Sequence, residues 1–119
     1  MIQEPPREVR TVDEAAQNWA AHPRFATILM KQLLSAENGG PAAVSRVRVP
    51  VGESIGRHLH ASQVETVYVL SGQSRLTLGE NEVAFNSGHI VPIPAGTAHS
   101  LVNVGSEAVE LLCFFTNDR

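Results

Sequence analysis

From Ala43 onward, polar and apolar residues alternate along short segments of the chain. Val44-Ser45-Arg46-Val47-Arg48-Val49 and Arg75-Leu76-Thr77-Leu78 do so cleanly, and Val102-Asn103-Val104 less so. In an extended chain every second side chain shares a face, so this period predicts strands with one side turned to a core. Glycines at 52, 56, 72, 79, 88, 96 and 105 punctuate the pattern. Many short strands separated by glycine turns predict an all-β barrel or sandwich.

The N-terminal third reads differently. Residues 1 to 10 are polar and include Pro5 and Pro6, which predicts an extended or poorly ordered arm. Thr11 suits an N-cap, with Asp13 and Glu14 in the first turn of a short helix. Val12, Ala16, Trp19 and Ala20 form its apolar stripe, and Pro23 ends it. Phe25 to Leu34 fits a helix or a buried strand equally well, and Ser35 to Pro41 reads as a loop. The expected organisation is an arm and short helix over 1–24 and a β-domain over 25–119.

Two glycine-bounded segments carry the candidate chemistry. The first runs from Gly52 to Gly72 and holds His58, His60 and Glu65; the second runs from Gly88 to Asn103 and holds His99. His58 and His60 lie two apart, so on a strand both imidazoles reach one point. A carboxylate and a distant third imidazole complete a mixed nitrogen and oxygen site for a divalent transition metal. If Glu65 points inward, Val67 and Val69 do too, while Thr66, Tyr68 and Leu70 face out. Inward His99 likewise implies inward Leu101 and Asn103, and Asn103 becomes a candidate to tie its turn together. Pro94-Ala95-Gly96 supplies a stiff turn ahead of His99.

These two segments resemble the two motifs of the cupin superfamily, with each of their fixed positions met between residues 52 and 103. His89 departs from the pattern, standing where an acidic residue is common. The short gap from Gly72 to Gly88 is similar to that of small single-domain cupins. The resemblance implies a jelly-roll β-barrel with one divalent ion, of iron, manganese, nickel, zinc, cobalt or copper, held inside by His58, His60, Glu65 and His99. It also implies a homodimer with N-terminal strands packing across the two-fold axis, the commonest kind of assembly. Dioxygenase chemistry is the leading expectation, ahead of lyase, isomerase or decarboxylase chemistry. The alternative is a non-catalytic small-molecule-binding or sensing barrel with a structural metal, because one fold carries many functions.

Other residues are read more plainly. Gln63 is a candidate for the site mouth, and Val67, Val69 and Leu101 for an apolar lining, which suggests a small, partly hydrophobic chelating substrate or ligand. Apart from the candidate ligand Glu65, no Asp, Glu, Lys or Tyr near the motifs is placed inward by strand parity, so no general acid or base is assigned. His22 and His89 are expected at the surface, Arg46 and Arg48 on a solvated outer face, and Tyr68 outside at a subunit contact. The alternative for Arg46, Arg48 and Arg57 alike is to present a cation to an anionic substrate.

Composition narrows the partners. The chain has 119 residues, 43% of them hydrophobic, enough for one packed domain. Its net charge of −3 offers no basic field for nucleic acid or anionic lipid. The single cysteine, Cys113, lies in an apolar run and reads as a small buried hydrophobe. No apolar stretch has the length of a membrane span, and the N-terminus lacks signal-peptide features. A soluble, cytoplasmic protein is expected.

Overall fold

The computed structural model describes residues 11–35 and 42–118. The arm expected over residues 1 to 10 lies outside them, as does most of the loop expected from Ser35 to Pro41. Among the described residues, ten strands follow a single 3-10 turn at Glu14–Ala16: β1 (Ala20–Ala21), β2 (Leu29–Leu34), β3 (Ala43–Val49), β4 (Ser54–His58), β5 (Gln63–Ser71), β6 (Gln73–Leu78), β7 (Asn81–Asn86), β8 (Ile90–Ile93), β9 (His99–Asn103) and β10 (Val109–Asn117). They form two antiparallel sheets, ordered β1-β2-β3-β10-β5-β8 and β4-β9-β6-β7. The two sheets face each other as a jelly roll, the all-β architecture that the alternating pattern implies. Among the described residues no helix is long and apolar enough to cross a membrane.

The inner faces follow strand parity. Ser45, Val47 and Val49 are buried on β3, and Val109, Leu111 and Cys113 on β10, with Arg46, Arg48 and Glu110 on the opposite face. Val67, Val69, Leu76, Phe85, Ile93 and Leu101 complete the core from the remaining strands. Asn103 holds the end of β9 as expected. Its Nδ2 donates to the carbonyls of Val49 and Glu107 at 3.0 and 2.8 Å, and its Oδ1 accepts from Gly105 N–H. Three hydrogen bonds on one buried amide offset the cost of burying it.

The N-terminal segment corrects two expectations. The short helix is one 3-10 turn, and its N-cap is Asp13, whose side chain accepts from Ala15 N–H, in place of Thr11. A segment this short gains too few helical hydrogen bonds to outweigh nucleation, and its side chains find better partners along the sheet. Glu14 pairs with Lys31 and Arg46. The Trp19 ring lies 4.6 Å from Lys31 Nζ and 4.2 Å from the Arg48 guanidinium carbon. The chain therefore runs extended over the outer face of β2 and β3, and Ala20–Ala21 pairs with Met30 and Leu29. The ambiguous Phe25–Leu34 stretch becomes a turn followed by β2. Arg46 does face outward but is not solvated, its side chain being 12% exposed between Glu14 and Glu110.

Candidate metal centre

His58 ends β4 and His99 begins β9, and the two are direct register partners. His60 lies just beyond β4, and Glu65 points inward from β5 with Val67 and Val69 after it. The ladder shifts register between Ile55 and His58, which re-aims the strand end toward the interior. The turn before His99 is tied to the first motif: Gly96 N–H donates to the His60 carbonyl at 2.8 Å, with Gly96 at φ +79°. That left-handed backbone favours glycine over residues bearing a Cβ.

The four sequence-predicted ligands meet. Each of His58, His60, Glu65 and His99 offers one ligand atom, and these atoms lie within 4.8 Å of one another. The ring centroids are 4.2 Å apart for His58 and His99, 5.0 Å for His58 and His60, and 5.4 Å for His60 and His99. His58 Nδ1 lies 2.7 Å from the Gly56 carbonyl and His99 Nδ1 lies 2.9 Å from that of Thr97. A carbonyl only accepts, so each Nδ1 carries the proton and each Nε2 keeps a free lone pair. This is the tautomer that a metal-ligating imidazole needs. These carbonyl partners, each two residues before its histidine, could not be identified from strand parity.

Electrostatics at the cluster favour a cation. His60 Nε2 and His99 Nε2 are buried without a hydrogen-bond partner, and unpaired buried polar atoms are costly. Glu65 Oε1 lies 3.5 Å from the first and 3.3 Å from the second. Both distances put the carboxylate beside the nitrogens without hydrogen-bond alignment. Burial lowers the pKa of His58, opposed in part by the Gly56 carbonyl. His99 also loses solvation, but the Glu65 carboxylate and the Thr97 carbonyl together raise its pKa. A divalent ion shared by all four would satisfy both orphaned nitrogens and the carboxylate at once. The donor set fits one metal ion.

A cavity of about 140 Å³ adjoins the cluster. Much of its wall is apolar, including Met30, Val47, Ile55, Leu76, Phe85 and Ile93. Of the lining candidates, Val67 and Leu101 are on this wall, whereas Val69 is fully buried in the core beyond it. Gln63 does not line the cavity; it opens β5, with Asn117 as its register partner. Cys113 also lines the wall, and burial pushes its thiol well above the ordinary range, which keeps it an unreactive apolar contact.

His22 corrects the sequence expectation. It is half-buried and lines the cavity with Pro23 and Arg24. Burial lowers its pKa, against a raising effect from Glu65. It comes from the turn between β1 and β2, where no periodicity indicates direction, so strand parity had no hold on it. His89 is exposed as expected, and its Nδ1 accepts from Asn86 N–H at 2.9 Å. Arg57 points away and donates to the Gly79 carbonyl.

The family model described as Cupin domain matches residues 45–115. An oxalate-binding protein of Thermotoga maritima is 29% identical over 85 residues, covering 70% of each chain. Quercetin 2,3-dioxygenase of Bacillus subtilis is 37% identical over 51 residues, 43% of this chain, which spans only 15% of that enzyme's length. Among solved structures, a predicted oxalate decarboxylase from Thermotoga maritima superposes with a TM-score of 0.81 at 24% identity, over 92% of this chain and all of the other. That likeness concerns the fold.

Proposed function

The chain belongs to the cupin family, and from that premise we propose that it is a metal-dependent enzyme acting on a small molecule, with dioxygenase chemistry ahead of lyase, isomerase or decarboxylase chemistry. The observation that supports this reading is the pair of buried, unpartnered Nε2 atoms of His60 and His99 beside an apolar cavity. A divalent ion held there supplies a Lewis acid, or a redox centre if its identity allows. The chain's own residues do the remaining work. The Gly56 and Thr97 carbonyls fix the imidazoles, Glu65 balances charge, and the apolar wall keeps bulk water from the reacting groups. The similarity to quercetin 2,3-dioxygenase adds support for oxygen-dependent chemistry.

A second reading, a non-catalytic barrel that binds a small molecule around its metal, also has a specific observation behind it. Among the described residues, the cavity wall includes no Asp, Lys or Tyr, and Glu65 is its one carboxylate. Proton transfer therefore has few candidates. The similarity to an oxalate-binding protein points the same way. Oxygen uptake or ultraviolet change of the metal-loaded protein with diketones, catechols, thiols and sugar acids separates the two. Turnover with any of them supports the enzyme, and saturable binding without turnover supports the binding barrel.

The same proposal includes a homodimer. The outer face of the six-stranded sheet carries Val44, Leu112, Phe114, Tyr68 and Ile90 on adjoining register positions, and Ile90 is 62% exposed. Light scattering at twice the chain mass is the expected result, and the chain mass alone would remove the dimer from the account.

A further inference from the structure

We propose that the His22–Pro23–Arg24 turn is a recognition wall of the cavity, which selects small organic anions that chelate the metal and carry a compact apolar tail. This inference rests on the metal-site reading above and assigns roles to residues outside the two motifs.

The turn is built and anchored. His22 N–H donates to the Ile28 carbonyl at 2.7 Å, and Ile28 N–H donates to the Phe25 carbonyl at 3.0 Å. Ile28 is fully buried, which fixes the base of the turn in the core. The Phe25 ring then lies 5.2 Å from both the His22 and the His58 rings. It packs closely over Gly56, where an added Cβ would come within 3.2 Å of Phe25 Cε1 and press the ring aside. The turn is thereby seated against the strand that carries His58.

The chemistry it presents is directional. His22 Nδ1 accepts from Arg24 N–H at 3.0 Å, so the neutral ring holds its proton on Nε2. That N–H has no partner among the described residues and is available to an acceptor atom of a ligand. Pro23 and Arg24 are exposed yet line the cavity, which marks this turn as its mouth. Among the described residues Arg24 is the one Lys or Arg that lines the cavity, as Glu65 is the one carboxylate. A divalent ion, one carboxylate and one guanidinium leave the loaded site positively charged, which suits an anion.

The interior sets the other half of the specificity. An apolar cavity of about 150 Å³ admits a benzene-sized group, and this one is about 140 Å³. That volume is lined by the four candidate ligands as well as the apolar wall, so it is shared between the chelating end and the tail. A ligand with no tail leaves the apolar wall uncovered, whereas a small branched tail covers it.

The test uses nickel(II)-loaded protein and two probes with similar chelating ends, 3-methyl-2-oxobutanoate and oxalate, followed by isothermal titration calorimetry. Metal content is measured in parallel. The wild type should bind the branched 2-oxo acid more tightly than oxalate. His22→Phe and Arg24→Gln should each weaken the 2-oxo acid by at least about tenfold, with metal content and melting temperature unchanged. His22→Gln, which restores an N–H donor, should recover part of the loss. Full metal loading with unaltered binding in both variants would overturn the recognition wall, and tighter oxalate binding would overturn the tail preference. Failure of the wild type to take up nickel would instead remove the underlying metal-site reading.

Discussion

His58 and His99 face each other as direct partners across the β4–β9 ladder, with their ring centroids 4.2 Å apart. Each Nδ1 lies against the backbone carbonyl two residues before it. The paired strands therefore fix both the position and the tautomer of two imidazoles without recruiting any other side chain. Glu65, on the opposing sheet, brings its carboxylate to the same point. The site is thus a product of sheet register, and it should survive changes that leave the register alone.

Glu65→Gln tests the charge of the site apart from its shape. The amide is nearly isosteric but a weaker donor than a carboxylate, so the variant should hold its metal less tightly than the wild type. It should retain more metal than a variant lacking two imidazoles. Competition with a chromophoric chelator measures this order. Equal affinity in Glu65→Gln and wild type would exclude Glu65 as a ligand.

Two glycines with left-handed backbones should differ sharply in tolerance. Gly72 has φ +102°, and a Cβ there would come within 2.9 Å of Ala108 O and Val109 Cα. Those are backbone atoms at the start of β10 and cannot move aside singly. Gly52 has φ +79° and open space around the added atom. Gly72→Ala should lose about 3 kcal/mol or more, and Gly52→Ala about 1–2 kcal/mol from conformation alone. Urea denaturation of both variants checks the ordering, and comparable losses would contradict it.

Acid should loosen the N-terminal segment before the barrel unfolds. The Lys31 hydrogen bond lowers the Glu14 pKa, against some desolvation, and Arg46 adds to the lowering. A carboxyl with a depressed folded pKa contributes stability that is complete above its ordinary value of 4.5 and is lost as pH falls through the folded value. Trp19 is the only tryptophan and lies on the same cationic residues, so it reports the release. Its emission should shift to longer wavelength below about pH 4.5 while the far-ultraviolet spectrum stays unchanged. Glu14→Gln should show the same shift at neutral pH. A shift that appears only with loss of strand signal would contradict local release.

Much of this was legible from the chain. The all-β architecture, the inward Val67 and Leu101 and the role of Asn103 follow from strand parity, because a half-buried strand encodes its faces at every second residue. The candidate quartet rests instead on residue types and on the resemblance of the two segments to the cupin motifs. Parity has no purchase outside strands. That is why His22 as a cavity residue emerges only from the fold. Parity also orders side chains and not backbone carbonyls, so Gly56 O and Thr97 O as imidazole partners emerge there too. It also overreaches along a strand: Val69 shares a face with Glu65 yet lies past the cavity, since parity gives direction but not depth. The N-terminal segment was misread for a different reason. Its apolar stripe suited a helix, but Trp19 and Glu14 found cations on the neighbouring sheet, and tertiary contacts outweighed local propensity.

Elemental analysis tests the central claim most directly. Untagged protein, purified without chelator, is compared with the His58→Ala, His60→Ala variant, with far-ultraviolet spectra confirming that both are folded. The account predicts close to one divalent transition-metal ion per chain in the wild type and almost none in the variant. Full metal content in the folded double variant, or none in the wild type even after reconstitution, would contradict it.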